Sequence, residues 1–67
     1  MVDVEQERER LTGELSDVES QIERLTNLLD GPFSEKAPED VVQKERDKLA
    51  RYRAEREELR ERLETLA

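Results

Sequence analysis

Apolar residues return at alternating steps of four and three through the first half of the chain: Leu11, Leu15, Val18, Ile22, Leu25 and Leu29, with Val4 one heptad before Leu11. This spacing keeps one stripe of an α-helix apolar, whereas a strand alternates its faces every second residue. The second half repeats the pattern, with Val42, Leu49 and Leu63 at one seam position and Tyr52, Leu59 and Leu66 at the other. Arg8, Glu45 and Arg56 interrupt the two seams. Polar residues at such positions lower stability but help to fix the register between partners.

Between the two tracts the chain is punctuated. Gly31 suits the left-handed position past a helix end, and Pro32 cannot continue the helix. Pro38 followed by Glu39 and Asp40 reads as a restart, with proline in the first turn and acids near the positive end of the helix dipole. Asp3 is the expected N-cap of the first helix, with Gln6 three residues later. The expected fold is all-α, a two-helix antiparallel coiled-coil hairpin with helices over 3–29 and 38–66 and a tip loop over 30–37. Two helices of this length predict a rod roughly 40 Å long. Phe33 is the one large apolar residue without a heptad seat. It is expected to fold back over Leu28, Leu29, Val41 and Val42, so that Phe33, Pro38, Val41 and Val42 form a structural tip.

Charge suggests a register. Pairing Leu25 with Val42, Val18 with Leu49, Leu15 with Tyr52 and Val4 with Leu63 places Glu5 by Arg60, Glu19 by Arg46 and Glu7 by Arg62, against one poor pair, Glu14 with Glu55. A shift of one heptad leaves a seven-residue overhang and fewer opposite pairs, so the first register is expected. Each exposed pair contributes well under ~1 kcal/mol, a bias rather than a determinant.

Composition narrows the chemistry. Ala, Glu, Lys, Leu and Arg account for 39 of the 67 residues, the signature of a coiled coil when the period agrees. The chain has no cysteine and no histidine, which removes disulfides, thiolate metal sites and the usual general base. Acid pairs such as Glu5 with Glu9 or Glu57 with Glu61 read as a solvated helix face, because a thin rod has no desolvated cavity to shift a carboxylate. Gly13 and Gly31 are isolated and make no phosphate loop, and no oxygen-rich loop with calcium spacing is present. No apolar run approaches the ~18 residues of a membrane span, nor is there a signal-peptide core. The expectation is a soluble, cytoplasmic helical element with no membrane or DNA partner.

The net charge of −7 is unevenly spread. Residues 1–35 carry three arginines against ten acids, whereas residues 36–67 balance nine basic groups with nine acids. Within 44–56, Lys44, Arg46, Lys48, Arg51, Arg53 and Arg56 face only Glu45, Asp47 and Glu55. Arg46, Arg53 and Arg60, seven apart beside the seam, are expected to pair with acids across it. Lys44 and Arg51 lie on the outer face, where Asp40 and Asp47 four residues earlier offer helix-stabilising partners. Lys36, Lys44, Lys48 and Arg51 are the candidates for phosphate contact, which positions a partner without reading its sequence.

One segment is more specific than any heptad. Phe33, Lys36, Ala37, Pro38, Val41, Val42, Lys44, Glu45, Arg46, Lys48 and Leu49 fill every fixed position of the pattern F-x-x-K-A-P-x-x-V-[VI]-x-K-E-R-x-K-L. In this the chain resembles the hairpin tip of the C-terminal coiled-coil arm of bacterial valyl-tRNA synthetases, and Val2-Asp3-Val4-Glu5-Gln6-Glu7-Arg8 is similar to the start of that arm. The resemblance implies a C-terminal fragment of a class I ligase that charges valine tRNA using ATP and magnesium and edits mischarged threonine. The fragment itself would hold no catalytic residue, metal or cofactor, since those parts of the family lie upstream. It implies as partners the valine tRNA, touched at the outer corner where its D and T loops meet, and the rest of the synthetase polypeptide. Two other readings compete: a similar hairpin at the C-terminus of ATP-binding-cassette proteins of translation, and a purely structural coiled coil that dimerises. The near-complete tip pattern favours the synthetase, and the expected state is a monomer.

Overall fold

The computed structural model describes residues 3–66. Helix α1 runs Val4–Asp30, a single helical turn α2 runs Phe33–Lys36, and α3 runs Glu39–Leu66. The two long helices pack against each other as an antiparallel hairpin. It is a rod of 52 × 15 × 14 Å.

Local chemistry sets the ends. The Asp3 carboxylate accepts a hydrogen bond from the Glu5 N–H at 3.0 Å, and the Asp3 carbonyl accepts the first helical bond from Glu7. Both satisfy donors that the first turn would otherwise leave unpaired. At the restart the Pro38 carbonyl accepts from Val41 and Val42, both at 3.1 Å, so Pro38 caps α3 from just outside the helix.

The tip departs from the expected open loop. Pro32 sits at φ −61° and its carbonyl accepts from Glu35 and Lys36, so proline starts a turn of helix there instead of merely ending one. Its ring presets φ, and its missing N–H is one that the first turn does not use. The Ser34 hydroxyl donates back to the Gly31 carbonyl at 3.1 Å and stitches α2 to the end of α1. Gly31 is not left-handed: it is extended, at φ −91° and ψ −169°. The following proline is the cause, because the Pro ring forces the preceding residue into the extended region. Ala37, before Pro38, is extended for the same reason.

Register is the main correction. Ile22, Leu25 and Leu49 form the buried cluster, with Val18, Leu28, Leu29 and Tyr52 packed on it. Nearer the open end, Leu11 shares a groove with Arg62 and Leu66, and Val18 shares one with Leu59 and Arg62. Glu19 meets Arg60 at 3.6 Å, not Arg46, and Arg60 does not pair with Glu5. These neighbours correspond to layers of Leu11 with Leu63, Leu15 with Leu59, Ile22 with Tyr52 and Leu25 with Leu49, one heptad from the expected set. Leu11 is accordingly 1% exposed and Leu25 0%, whereas Val4, left overhanging beyond the partner helix, is 48% exposed. The rod is longer than the ~40 Å expected from two matched helices, with the exposed first turn at Val4 and the extra turn α2 adding to the hairpin.

Magnitudes explain the preference. Both registers offer four wholly apolar layers, but the expected one spends three valines in them where the observed one uses leucine or isoleucine. Three more buried methylenes are worth on the order of 2 kcal/mol. A few exposed ion pairs, each contributing a fraction of ~1 kcal/mol, do not offset that. The observed register also sets Val18, a small residue, opposite the intruding Arg56. Arg56 is half-buried and its Nε is enclosed without a hydrogen-bond partner.

Two outcomes follow. Glu19→Cys with Arg60→Cys should crosslink efficiently within one chain using a short bis-maleimide, and Glu19→Cys with Arg46→Cys should not; the reverse pattern would restore the other register. Arg56→Leu should raise the thermal midpoint, by an amount equivalent to about 1–3 kcal/mol, since it removes an unsatisfied buried donor and fills the seam.

Candidate nucleic-acid interface

Ion pairs are distributed unevenly along the rod. At the open half, Arg10 pairs with Glu7 and, at 3.0 Å, with Glu14. Arg60 lies between Glu19 at 3.6 Å and Glu57 at 3.5 Å. The hydrogen bond from Arg10 holds the Glu7 carboxyl below its usual range, with the positive charges of Arg10 and Arg62 adding to the effect. The same contact raises the Arg10 pKa. Of the interhelical pairs expected, Glu7 and Arg62 do lie near one another.

The tip half is different. Lys36 ends α2, exposed, and Lys44 and Arg51 lie exposed on α3, two turns apart or ~10 Å along its axis. Among the described residues none of the three makes an ion pair. Asp47, expected to serve Arg51, instead accepts from Gln43 at 3.0 Å. Lys48 is exposed and partly engaged, its Nζ 3.4 Å from Glu45 Oε1. Glu39 and Asp40 occupy the first turn of α3, where the helix dipole already favours negative charge.

Arg46 and Arg53 correct the expectation of interhelical pairing. Both are exposed, and among the described residues neither has an acid within ion-pair distance. In the observed stagger the Glu19 carboxylate is taken up by Arg60 and not by Arg46. A comparison of leucine with valine content in the competing seams would have revealed this from the sequence.

At the apex, Phe33 is half-buried and its carbonyl accepts from the Ala37 N–H at 2.9 Å. Val42 is buried, but Val41 stays 36% exposed, so only one of the two valines belongs to the tip's apolar closure. Successive helical residues point ~100° apart, and the seam takes Val42. No group of three or more acid side chains placed to hold a metal ion occurs among the described residues. No described helix is long and apolar enough to cross a membrane.

A family described as the valyl-tRNA synthetase tRNA-binding arm matches residues 3–67. The chain belongs to that family. The arm is 46% identical over 68 residues to a valine–tRNA ligase of Carboxydothermus hydrogenoformans, a match covering all of this chain and 8% of that protein. It is 55% identical over 53 residues to the valine–tRNA ligase of Dehalococcoides mccartyi strain CBDB1, covering 78% of the chain and 6% of the ligase. The valine–tRNA ligase of Takifugu rubripes is 36% identical over 62 residues, 91% of the arm and 5% of the ligase. The arm therefore spans less than a tenth of the relatives it matches. No solved structure matches it.

Phe33→Ala should lower the thermal midpoint by an amount equivalent to about 1–2 kcal/mol, less than a fully buried aromatic because the ring sits at the edge. An unchanged midpoint accompanied by loss of RNA affinity would make Phe33 a stacking residue instead.

Proposed function

We propose that this hairpin is the tRNA-contacting arm of a valine–tRNA ligase and that it touches the outer corner of the valine tRNA, where the D and T loops meet, to support aminoacylation. One observation carries the reading: Lys36, Lys44, Arg46 and Arg51, all exposed and without an acid partner among the described residues, gather in the tip half of a 52 Å rod. Lys36, Lys44 and Arg51 supply phosphate contacts, with Lys48 contributing less because Glu45 shares its charge. Contacts of this kind recognise RNA by shape and backbone.

The chemistry belongs elsewhere in the parent polypeptide, which supplies valine activation with ATP and magnesium in the cytoplasm. The arm adds a tethered second contact, and tethering makes a weak contact effective because the partner is already held nearby. The intrachain seam favours a monomer over a dimerising coiled coil: Leu11, Leu25, Ile22, Leu49 and Leu59 are already buried by the partner helix of the same chain, leaving little apolar surface for a second copy.

In the full-length ligase, Lys36→Ala, Lys44→Ala and Arg51→Ala together should raise the KM for valine tRNA while leaving valine–adenylate formation intact. Removed binding, rather than removed chemistry, has that signature. The deficit should shrink as salt rises, since fewer counterions are released on binding. Collapse of adenylate formation with unchanged tRNA affinity would instead make the arm a stabiliser of the enzyme body.

A further inference from the structure

Arg46 and Arg53 are not accounted for by the fold. Neither caps a helix, neither lies in the seam, and neither has an acid within 4 Å among the described residues. Arg60, the third member of the same heptad row, differs only in having Glu19 and Glu57 beside it. The row is therefore neutralised at the open end and bare toward the tip.

Position matters as much as charge. Residues two apart on a helix are turned by ~200°, so Arg46 and Arg53 lie on the opposite flank of α3 from Lys44 and Arg51. A rod lying along a single flat or convex RNA surface touches one flank only. Two bare rows on opposite flanks, over the same two turns of α3, suit a partner whose backbone passes on both sides. Guanidinium groups are well matched to phosphate oxygens, which they bind through paired N–H donors.

We infer that Arg46 and Arg53 form a second row of phosphate contacts, so that the tip half of the arm sits in a concave RNA surface between two backbone segments. This rests on the proposed tRNA-binding role and specifies how it is carried out. Lys44 and Arg51 hold one segment, Arg46 and Arg53 the other, and Arg60, already neutralised, holds neither.

The test uses the full-length ligase and valine tRNA, with affinity measured across a salt series. Arg46→Gln with Arg53→Gln should weaken binding and make the log–log salt slope shallower by about 1.5–2, the change for two lost phosphate contacts. Arg46→Lys with Arg53→Lys should recover most of the slope, since lysine keeps the charge. Arg60→Gln should leave the slope unchanged. If the glutamine pair leaves the slope intact while Lys36→Ala, Lys44→Ala and Arg51→Ala reduce it, the second row is refuted and the single-flank reading of the arm stands. If neither set alters the slope, the tRNA-contact role fails with it. A glutamine pair that lowers the thermal midpoint of the 67-residue chain without changing the slope would also overturn the inference, by making the arginines structural.

Discussion

Contact between leucine-rich layers of α1 and α3 governs most of what the arm displays. Leu25 packed with Leu49, and Leu11 enclosed toward the open end, set the stagger of the helices, and the stagger decides which charged side chains meet. Glu19 reaches Arg60 because of it, and Arg46 and Arg53 reach no acid. The charge pattern presented to a partner is thus a consequence of buried hydrocarbon. A change of one heptad would leave the fold class intact and redistribute the bare cations.

The helices were plainly legible in the sequence, and the reason is local. A heptad repeat, Asp3 as a cap and two prolines each act within a few residues, so boundaries came within a residue of those observed. The tip and the register were harder. Gly31 carries a signal for a left-handed helix end, but its neighbour Pro32 overrides it and starts a new turn. Register depends on comparing two whole seams that differ by three methylenes, and counting exposed charge pairs weighted the smaller contribution. The candidate site inherited that error: Lys36, Lys44 and Arg51 could be picked out from the sequence as outward-facing cations, whereas Arg46 and Arg53 could be judged only once the stagger was known.

A rod 15 Å across has no room for a desolvated site, and its open-end grooves are lined by charged side chains as much as by leucine. What such a shape offers is reach and direction. Its stiffness comes from two continuous helices sharing one seam, so a contact made at the tip is transmitted to whatever holds the open end. The extended residues Gly31 and Ala37, each fixed by the proline after it, keep the apex from being a floppy loop.

The layered seam also bears on how the hairpin assembles. Joining Leu25 to Leu49 closes fewer than half the residues that separate Leu11 from Leu63, and the entropy of closure falls by ~0.6 kcal/mol for each halving of the loop. Contacts close in sequence form before distant ones reward their cost. The helices should therefore zip from the apex toward the termini, and fray in the opposite order, beginning at the overhanging first turn around Val4. The end proposed to meet RNA would be the earliest to form and the last to open, and so already rigid when a partner arrives.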